Sequence, residues 1–426
     1  MAFSTDTRTI QPGDTYVAIR GETHDGHAFV EDAVAKGAVA VVVDHDLEAD
    51  AEVIVAEDSV RWLVDRASAF VREVGCDVVG ITGSVGKTTT RGAIVSVLSE
   101  SFDVRSSEGN KNTPLGISLT VLNTALTPAT KLVLEMGARF EGDIKELREA
   151  FPLTVGVATN VRGVHLETMG PIERIEREKS EIVRGLEADG TAVLNGDDPR
   201  TRRMAEVTKG QVILYGTEPH NDVRPEHVTA DLPILGDHAI YTALVATAVG
   251  QAFGMPPGAI TRGLEGLETE PGRLRKLDGL DGSLLIDDTY NASPDAARSA
   301  LGVLAGLEGE RRTAILGDML ELGETEVEQH VGVLEAALDA ADRVVAVGEI
   351  MGRAAAGLEG VAHFSTSQAC ADAVRSGDLE VGPGDVVLVK GSQGARMERV
   401  SEALLAPGLE AADVLPRQMP QWKAIP

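Results

Sequence analysis

A chain of 426 residues is too long for one compact core at roughly 100 to 200 residues per domain, and a composition of 43% apolar and 25% charged residues excludes intrinsic disorder, a collagen-like fibre and a membrane bundle. Lys plus Arg is 39 and Asp plus Glu 67, a net charge of −28 whose field repels phosphate backbones and anionic lipid, so no broad nucleic-acid or membrane surface is expected. Two cysteines, Cys76 and Cys370, exclude a disulfide scaffold, and the lack of a secretory start or a long apolar run makes the cytoplasm the expected compartment.

Apolar runs of strand length alternate with helical patterns along the chain, which predicts α/β domains built on parallel sheets. In the first block, residues 1–75, Thr15–Arg20, Ala38–Val43 and Glu52–Ala56 are the extended runs, with helices over Ala28–Lys36 and Val60–Val74. The second block, 76–270, opens with a strand at Val78–Thr82. It continues with Lys131–Met136, Thr154–Thr159, Thr191–Leu194 and Gln211–Tyr215, the pattern of a doubly wound parallel sheet. The third, 271–426, follows the break Glu270-Pro271-Gly272 and alternates Ser283–Asp287, Thr313–Leu316, Arg343–Val347 and Asp385–Val389 with helices, a Rossmann-like arrangement. Ser293-Pro294 starts one of those helices, with Ser as N-cap and Pro in the first turn.

Thr82-Gly83-Ser84-Val85-Gly86-Lys87-Thr88-Thr89 lies between an apolar strand and a helix, the setting of a phosphate cradle. Its glycines let backbone N–H groups face an anion, Lys87 reaches outer phosphates, and the Thr88 hydroxyl suits Mg²⁺. Ile81 replaces the first glycine of the usual pattern, and a ligand-free glycine turn is the plain alternative. Glu135 ends the strand Lys131–Met136, where a magnesium role and an ordinary strand-end charge are both open. Between Pro171 and Leu186 the stripe Ile172, Ile175, Ile182, Val183, Leu186 also contains Lys179, an ammonium among isoleucines that must snorkel, pair, lose its proton or be modified. His165 precedes it in a loop. In the third block Asp287-Asp288-Thr289-Tyr290-Asn291 and Lys390-Gly391-Ser392 each follow a strand and are expected to face the phosphate loop across a cleft, with Arg273 at the hinge reaching a phosphate on closure.

Together these motifs resemble the Mur ligase family across all three blocks. The resemblance is carried by TGSVGKTTT, Gly109-Asn110-Lys111-Asn112-Thr113, Leu134-Glu135-Met136-Gly137-Ala138 and His165-Leu166-Glu167 ahead of Lys179. Asp287–Pro294, Gly317-Asp318-Met319-Leu320-Glu321-Leu322-Gly323 and Val389-Lys390-Gly391-Ser392 are most similar to the branch that adds D-alanyl-D-alanine to UDP-N-acetylmuramoyl-tripeptide. The resemblance implies three α/β domains: an N-terminal one for the UDP substrate, a central ATPase and a C-terminal ligase domain. It implies ATP at Gly83, Ser84, Gly86, Lys87, Thr88, Thr89, Asn195, Asp197, His238 and Arg273. It implies Mg²⁺ at Thr88, Glu135, His165 and Lys179, the last as a CO₂-derived carbamate, and catalysis by Lys87, Lys179, His165 and Asp288. Ser4, Arg8, Asn112, Thr113, Tyr290, Asn291 and Lys390 are implied for the small-molecule substrates, a UDP-linked peptide acceptor and a dipeptide or amino-acid donor, in a monomer.

Three departures stand out: Ala239 follows His238 where the family has Asn, residues 215–235 are short for a member, and the first block starts close to Ser4. They keep open a Mur-type ligase of another acid and amine, in an archaeal wall or a cofactor pathway, and a non-catalytic nucleotide-binding regulator.

Overall fold

Three β-sheets carry the chain in a computed structural model that describes every residue except 1, 22–23, 108, 110, 139, 164–168, 231, 233–234, 237 and 424–426. By contacts the chain forms two compact units, Met1–Leu232 with Ile240–Leu267, and Pro233–Ala239 with Glu268–Pro426.

The first unit holds two wholly parallel sheets. One runs in chain order through β1 (Phe3–Ser4), β2 (Thr15–Val17), β3 (Ala40–Val43) and β4 (Glu52–Val55). The predicted first helix is shorter than its sequence pattern, a 3₁₀ turn Gly26–Phe29 leading into α1 (Val30–Ala35). Then α2 (Ser59–Val74) starts on Asp58, whose carboxylate caps the amides of Val60 and Arg61, and stops at Gly75 in the left-handed region, φ 68°. The two-residue strand β1 keeps its register because the Asn123 amide closes both of its outer hydrogen bonds, from Phe3 N at 2.7 Å and to Phe3 O at 2.8 Å.

The second sheet contains β5 (Asp77–Thr82), β6 (Val104–Ser106), β7 (Lys131–Glu135), β8 (Val155–Ala158), β9 (Thr191–Asn195) and β10 (Gln211–Tyr215), in the spatial order β10-β9-β8-β5-β7-β6. From β5 the chain passes to the edge strand β6, returns inward to β7 beside β5, and then continues outward on the other side through β8, β9 and β10, so a topological switch lies between β5 and β8, where such sheets bind ligands at their carboxyl ends. The helices α3 (Lys87–Ser99), α4 (Pro114–Leu122), α5 (Asp143–Ala150) and α6 (Ile172–Arg184) alternate with these strands. Helix α6 comes close to the sheet because two strand residues have no side chain. A Cβ on Gly156 would lie 2.6 Å from Ile182 O, and one on Gly80 would lie 3.1 Å from Ile182 Cδ1. That approach carries Lys179, one turn before Ile182, toward the switch.

In the second unit lie β11 (Arg275–Asp278), β12 (Leu284–Asp288), β13 (Arg312–Gly317), β14 (Arg343–Val347), β15 (Val361–Phe364) and β16 (Val386–Lys390), ordered β11-β12-β16-β13-β14-β15, parallel except for the antiparallel pair β11–β12. Two strands end later than the sequence pattern suggests, so Asp288 and Lys390 are the last residues of β12 and β16 and are register partners. Asp287, on the preceding position, is fully buried; Ser401 and Thr289 hydroxyls donate to its Oδ1 at 2.8 Å each, and its Oδ2 accepts no hydrogen bond within 3.5 Å among the described residues. Burial pushes its carboxyl up to about 6, against those hydroxyl bonds and with the nearby charge of Asp288.

Gly156→Ala is expected to cost about 1–3 kcal/mol through overpacking against the α6 backbone, measured as a lower urea midpoint. Because the folded state binds the Asp287 proton more tightly than the unfolded chain, this group's contribution to stability falls as pH rises from about 4 to about 6. Asp287→Asn should remove that slope, so the variant-minus-wild-type difference in unfolding free energy should move in favour of the variant across this window.

Candidate functional site

The phosphate loop leaves β5 at Thr82 and enters α3 at Lys87, and its shape is forced by what it touches. Gly83 (φ +155°) lies against the end of β8, where a Cβ would stand 1.8 Å from Thr159 Oγ1, and Gly86 (φ +81°) takes the left-handed conformation that precedes the first turn of α3. The residues after β8 stitch the loop down. Ser84 N donates to Asn160 O and Val85 N to Asn160 Oδ1, both at 3.0 Å, while Thr159 Oγ1 and Asn160 Nδ2 both donate to Val85 O at 2.9 Å. Lys87 folds back over this turn, its Nζ donating to Gly83 O at 2.7 Å.

Beside it stands Glu135, 3% exposed at the end of β7. Its Oε2 accepts from the Thr88 hydroxyl at 2.9 Å and its Oε1 from Asn112 Nδ2 at 2.9 Å. The open alternative of a water-facing strand end is therefore not what the chain adopts. Asn112 is itself held by Gly137, whose amide donates to its carbonyl at 2.9 Å. A hydroxyl and a carboxylate within 2.9 Å of each other are hard oxygen donors and fit Mg²⁺. Thr113, the neighbour of Asn112, caps α4 by accepting from Gly116 N, and Thr89 lies half-buried in the first turn of α3.

Lys179 is 4% exposed on α6, so it does not snorkel into water. Burial, and then the positive charge of Lys87, push its ammonium down to about 7, with Glu178 opposing. Glu178 gives little help because its carboxylate is engaged elsewhere, accepting from Gly142 N and Ile144 N at 2.7 Å each at the start of α5. His165 lies outside the described residues, and so does the side chain of His238.

Asn195 ends β9 and Asp197 follows it. Asn195 Nδ2 donates to Thr159 O at 2.9 Å, which ties this strand end to the one under the phosphate loop. Asp197 organises the turn after β10: its oxygens accept from Thr217 N and Oγ1, Glu218 N, Asn221 Nδ2 and, at 2.8 Å, Tyr241 OH. Burial opposes its charge, but the donors from Thr217, Tyr241 and Asn221 outweigh that and hold it down to about 2. Tyr241 and Asn221 carry no motif and were not legible as partners. Arg91 is another residue that sequence reasoning missed; buried in α3, it donates to Ser107 O and to Gly109 O, bracing the segment that leads to Asn112.

On the first sheet, Ser4 Oγ pairs with Thr9 Oγ1 at 2.8 Å and the exposed Arg8 forks onto Asp6. In the second unit Lys390 Nζ reaches Asp288 Oδ2 at 2.6 Å and Asn291 O at 2.9 Å, so the strand pair β12–β16 brings three predicted residues to one point. Tyr290 follows, and the Arg273 guanidinium stacks on its ring at 4.1 Å.

Comparison with known proteins places these features in a family. The Mur ligase family catalytic domain matches residues 2–77, the Mur ligase middle domain residues 81–250 and the Mur ligase glutamate ligase domain residues 272–393. The UDP-N-acetylmuramoyl-tripeptide–D-alanyl-D-alanine ligase of Bacillus subtilis is 33% identical over 431 residues, covering 94% of this chain and 92% of that protein; the Escherichia coli ligase of the same name is 33% identical, covering 95% and 93%. The crystal structure of MurF ligase from Thermotoga maritima in complex with ADP superposes with a TM-score of 0.83 at 29% identity, over 94% of this chain and 96% of that one. Three domains matched in order, and a third of positions shared along nearly the full length of both relatives, leave one assignment: the chain belongs to the Mur ligase family.

Proposed function

We propose that this chain is an ATP-dependent, ADP-forming ligase that joins D-alanyl-D-alanine to UDP-N-acetylmuramoyl-tripeptide for peptidoglycan synthesis, as a monomer in the cytoplasm. The reading is carried by one observation: the glycine loop, Thr88 and buried Glu135 meet at the carboxyl ends of the paired strands β5 and β7 in a chain that aligns over 94% of its length with an enzyme named for that reaction. Among the described residues no helix is long and apolar enough to cross a membrane.

A carboxylate and an amine do not condense at neutral pH, because the carboxylate lacks a leaving group and its charge repels nucleophiles. Transfer of the γ-phosphoryl of ATP onto it supplies the leaving group, and attack by the amine then expels phosphate. In this reading residues 1–75 take the UDP end of the acceptor, with Ser4 and Arg8, and 76–270 take ATP. Lys87 leaves Gly83 O for the outer phosphates, and the loop amides with the start of α3 receive their negative charge. Thr88, Glu135, His165 and Lys179 hold magnesium, which when bound offsets the charge of the triphosphate. Lys179, whose ammonium burial and Lys87 push down to about 7, attacks CO₂ as the neutral amine, forming an N–C bond and releasing one proton to solvent, and its carbamate would be an anionic ligand. Asn195, Asp197 and His238 flank the nucleotide, while Asn112 and Thr113 meet the acceptor. From residues 271–426, Arg273 meets a phosphate, and Asp288, fixed by Lys390, orients the incoming amine with Tyr290 and Asn291. Ala239, in place of the family's Asn, favours a second reading in which the same chemistry serves another acid and amine.

Phosphate release from ATP with magnesium and bicarbonate should require UDP-N-acetylmuramoyl-tripeptide and D-alanyl-D-alanine together, and Lys87→Ala should lower it by at least about 10²-fold with an unchanged circular-dichroism spectrum. Release with a different pair would favour the second reading, and ligation that survives Lys87→Ala would remove the phosphate loop from the mechanism. With ¹³C-bicarbonate, a carbamate resonance is expected in the wild type and not in Lys179→Gln. Its intensity should fall as pH drops below about 7, because protonation removes the lone pair that attacks CO₂.

A further inference from the structure

The second unit contains a buried charge cluster that the ligase reading leaves without a role. Glu398, 2% exposed, holds two arginines: Arg396 Nε donates to its Oε1 at 2.6 Å and Arg417 Nη2 to its Oε2 at 2.7 Å. Both arginine side chains are themselves buried, at 7% and 5%. Removing three charges from water is costly unless each finds further partners. Arg417 finds them in the turn after Asp288, where its Nη2 donates to Thr289 O and its Nη1 to Tyr290 O at 3.1 Å. One guanidinium thus joins a carboxylate near the C-terminus to two consecutive carbonyls beside the proposed amine site.

Tyr290 is held from residues 272–273 as well. Its amide donates to Gly272 O at 3.1 Å, and its ring lies 4.1 Å from the Arg273 guanidinium and 5.9 Å from that of Arg417. Gly272 (φ +77°) has no room for a side chain, since a Cβ would meet Tyr290 N at 2.8 Å and Pro416 Cγ at 3.0 Å. Gly272, the turn and the C-terminal segment are therefore packed as one block. Arg396 and Arg417 both keep left-handed backbones, φ 55° and 58°, a conformation disfavoured for any residue with a Cβ and retained where the surroundings over-determine it. Arg396, Glu398 and Arg417 all lie beyond residues 272–393, the span of the matched C-terminal domain.

The geometry points to Arg417 as a positioning residue: anchored on Glu398, it fixes the Thr289–Tyr290 turn and, through the Tyr290 ring, aims Arg273. This rests on the ligase reading, in which Arg273 meets a phosphate and Asp288–Asn291 meet the amine.

The test compares wild type, Arg417→Met, Arg417→Lys, Arg273→Met and the double variant Arg273→Met/Arg417→Met in the full chain. Arg417→Met should lower kcat by about 10²-fold, the effect of a small misplacement at a reacting centre, while KM for ATP changes by less than about twofold. Arg417→Lys should recover little, because an ammonium cannot fork between two carbonyls and a carboxylate, and it also serves if the methionine variant fails to fold. The combined loss in the double variant should fall short of the product of the two single losses, the non-additivity expected if part of the effect of Arg417 passes through Arg273. Hydrogen exchange supplies a readout independent of catalysis: amides of residues 288–292 should lose protection in Arg417→Met, with those of β14 unchanged. Unchanged kcat, full additivity with Arg273→Met, or unchanged protection of 288–292 would each overturn the assignment. A wild type that ligates no acid and amine pair would instead sink the ligase reading, and exchange at 288–292 would still decide the clamp.

Discussion

A carboxylate removed from water must be compensated where it stands, and the site in the first unit is organised around one, Glu135. Its two oxygens are met by a hydroxyl and an amide, so the compensation comes from neutral groups on two other segments, Thr88 at the start of α3 and Asn112 ahead of α4. That single demand fixes the end of β7, the entry of the phosphate helix and the approach of the 111–113 segment relative to one another. It also leaves a local excess of negative charge in a chain that already carries −28. The positive groups nearby, Lys87 and the N-terminal amides of α3, therefore gain in importance. An acidic protein that handles anionic substrates has to gather its cations at points rather than across faces.

The second unit answers the same demand with ion pairs. Asp288 is met by Lys390, and Glu398 by Arg396 and Arg417, all nearly removed from solvent. Such pairs add little net stability compared with apolar packing, but removing one partner strands the other, so they specify position more than they add strength. Here the positions specified are the carboxyl ends of β12 and β16 and the turn that follows β12, the residues to which the ligase reading assigns the amine.

Much of the fold was legible because parallel sheets buried on both faces leave continuous apolar runs, as at Ala40–Val43, Lys131–Glu135 and Arg343–Val347. The strands that escaped notice are those in which this signal is missing. Phe3–Ser4 has two residues, Val104–Ser106 is half-buried, Arg275–Asp278 is a polar antiparallel edge, and Val361–Phe364 is a partly exposed edge at the other side of the same sheet. The phosphate loop and the misplaced Lys179 were readable because each breaks a local pattern. The Asp288–Lys390 contact was not, since the two residues are 102 positions apart and become neighbours only when β16 inserts between β12 and β13. Arg417 was unreadable for a related reason: nothing local distinguishes an arginine that stays in water from one that crosses the domain to bind two carbonyls.

Lys179 shows how one arrangement can oppose one chemical state and suit another. As an ammonium it is desolvated, repelled by Lys87, and poorly answered by Glu178, whose carboxylate already receives the amides of Gly142 and Ile144. Burial and Lys87 penalise the positive charge, and Glu178 offsets them only in part. A carbamate on the same nitrogen would reverse the sign of both charge contributions, with Lys87 becoming favourable and Glu178 unfavourable. Lys87 would attract it, and a divalent cation on Thr88 and Glu135 would give the new oxygens a partner and offset their burial. The isoleucine stripe of α6 and the missing side chains of Gly80 and Gly156 do not select the charge; they fix where the nitrogen stands, close to the sheet and out of water. The positive charge of Lys87 in the phosphate loop then acts on whatever form occupies that place, and it opposes an ammonium there.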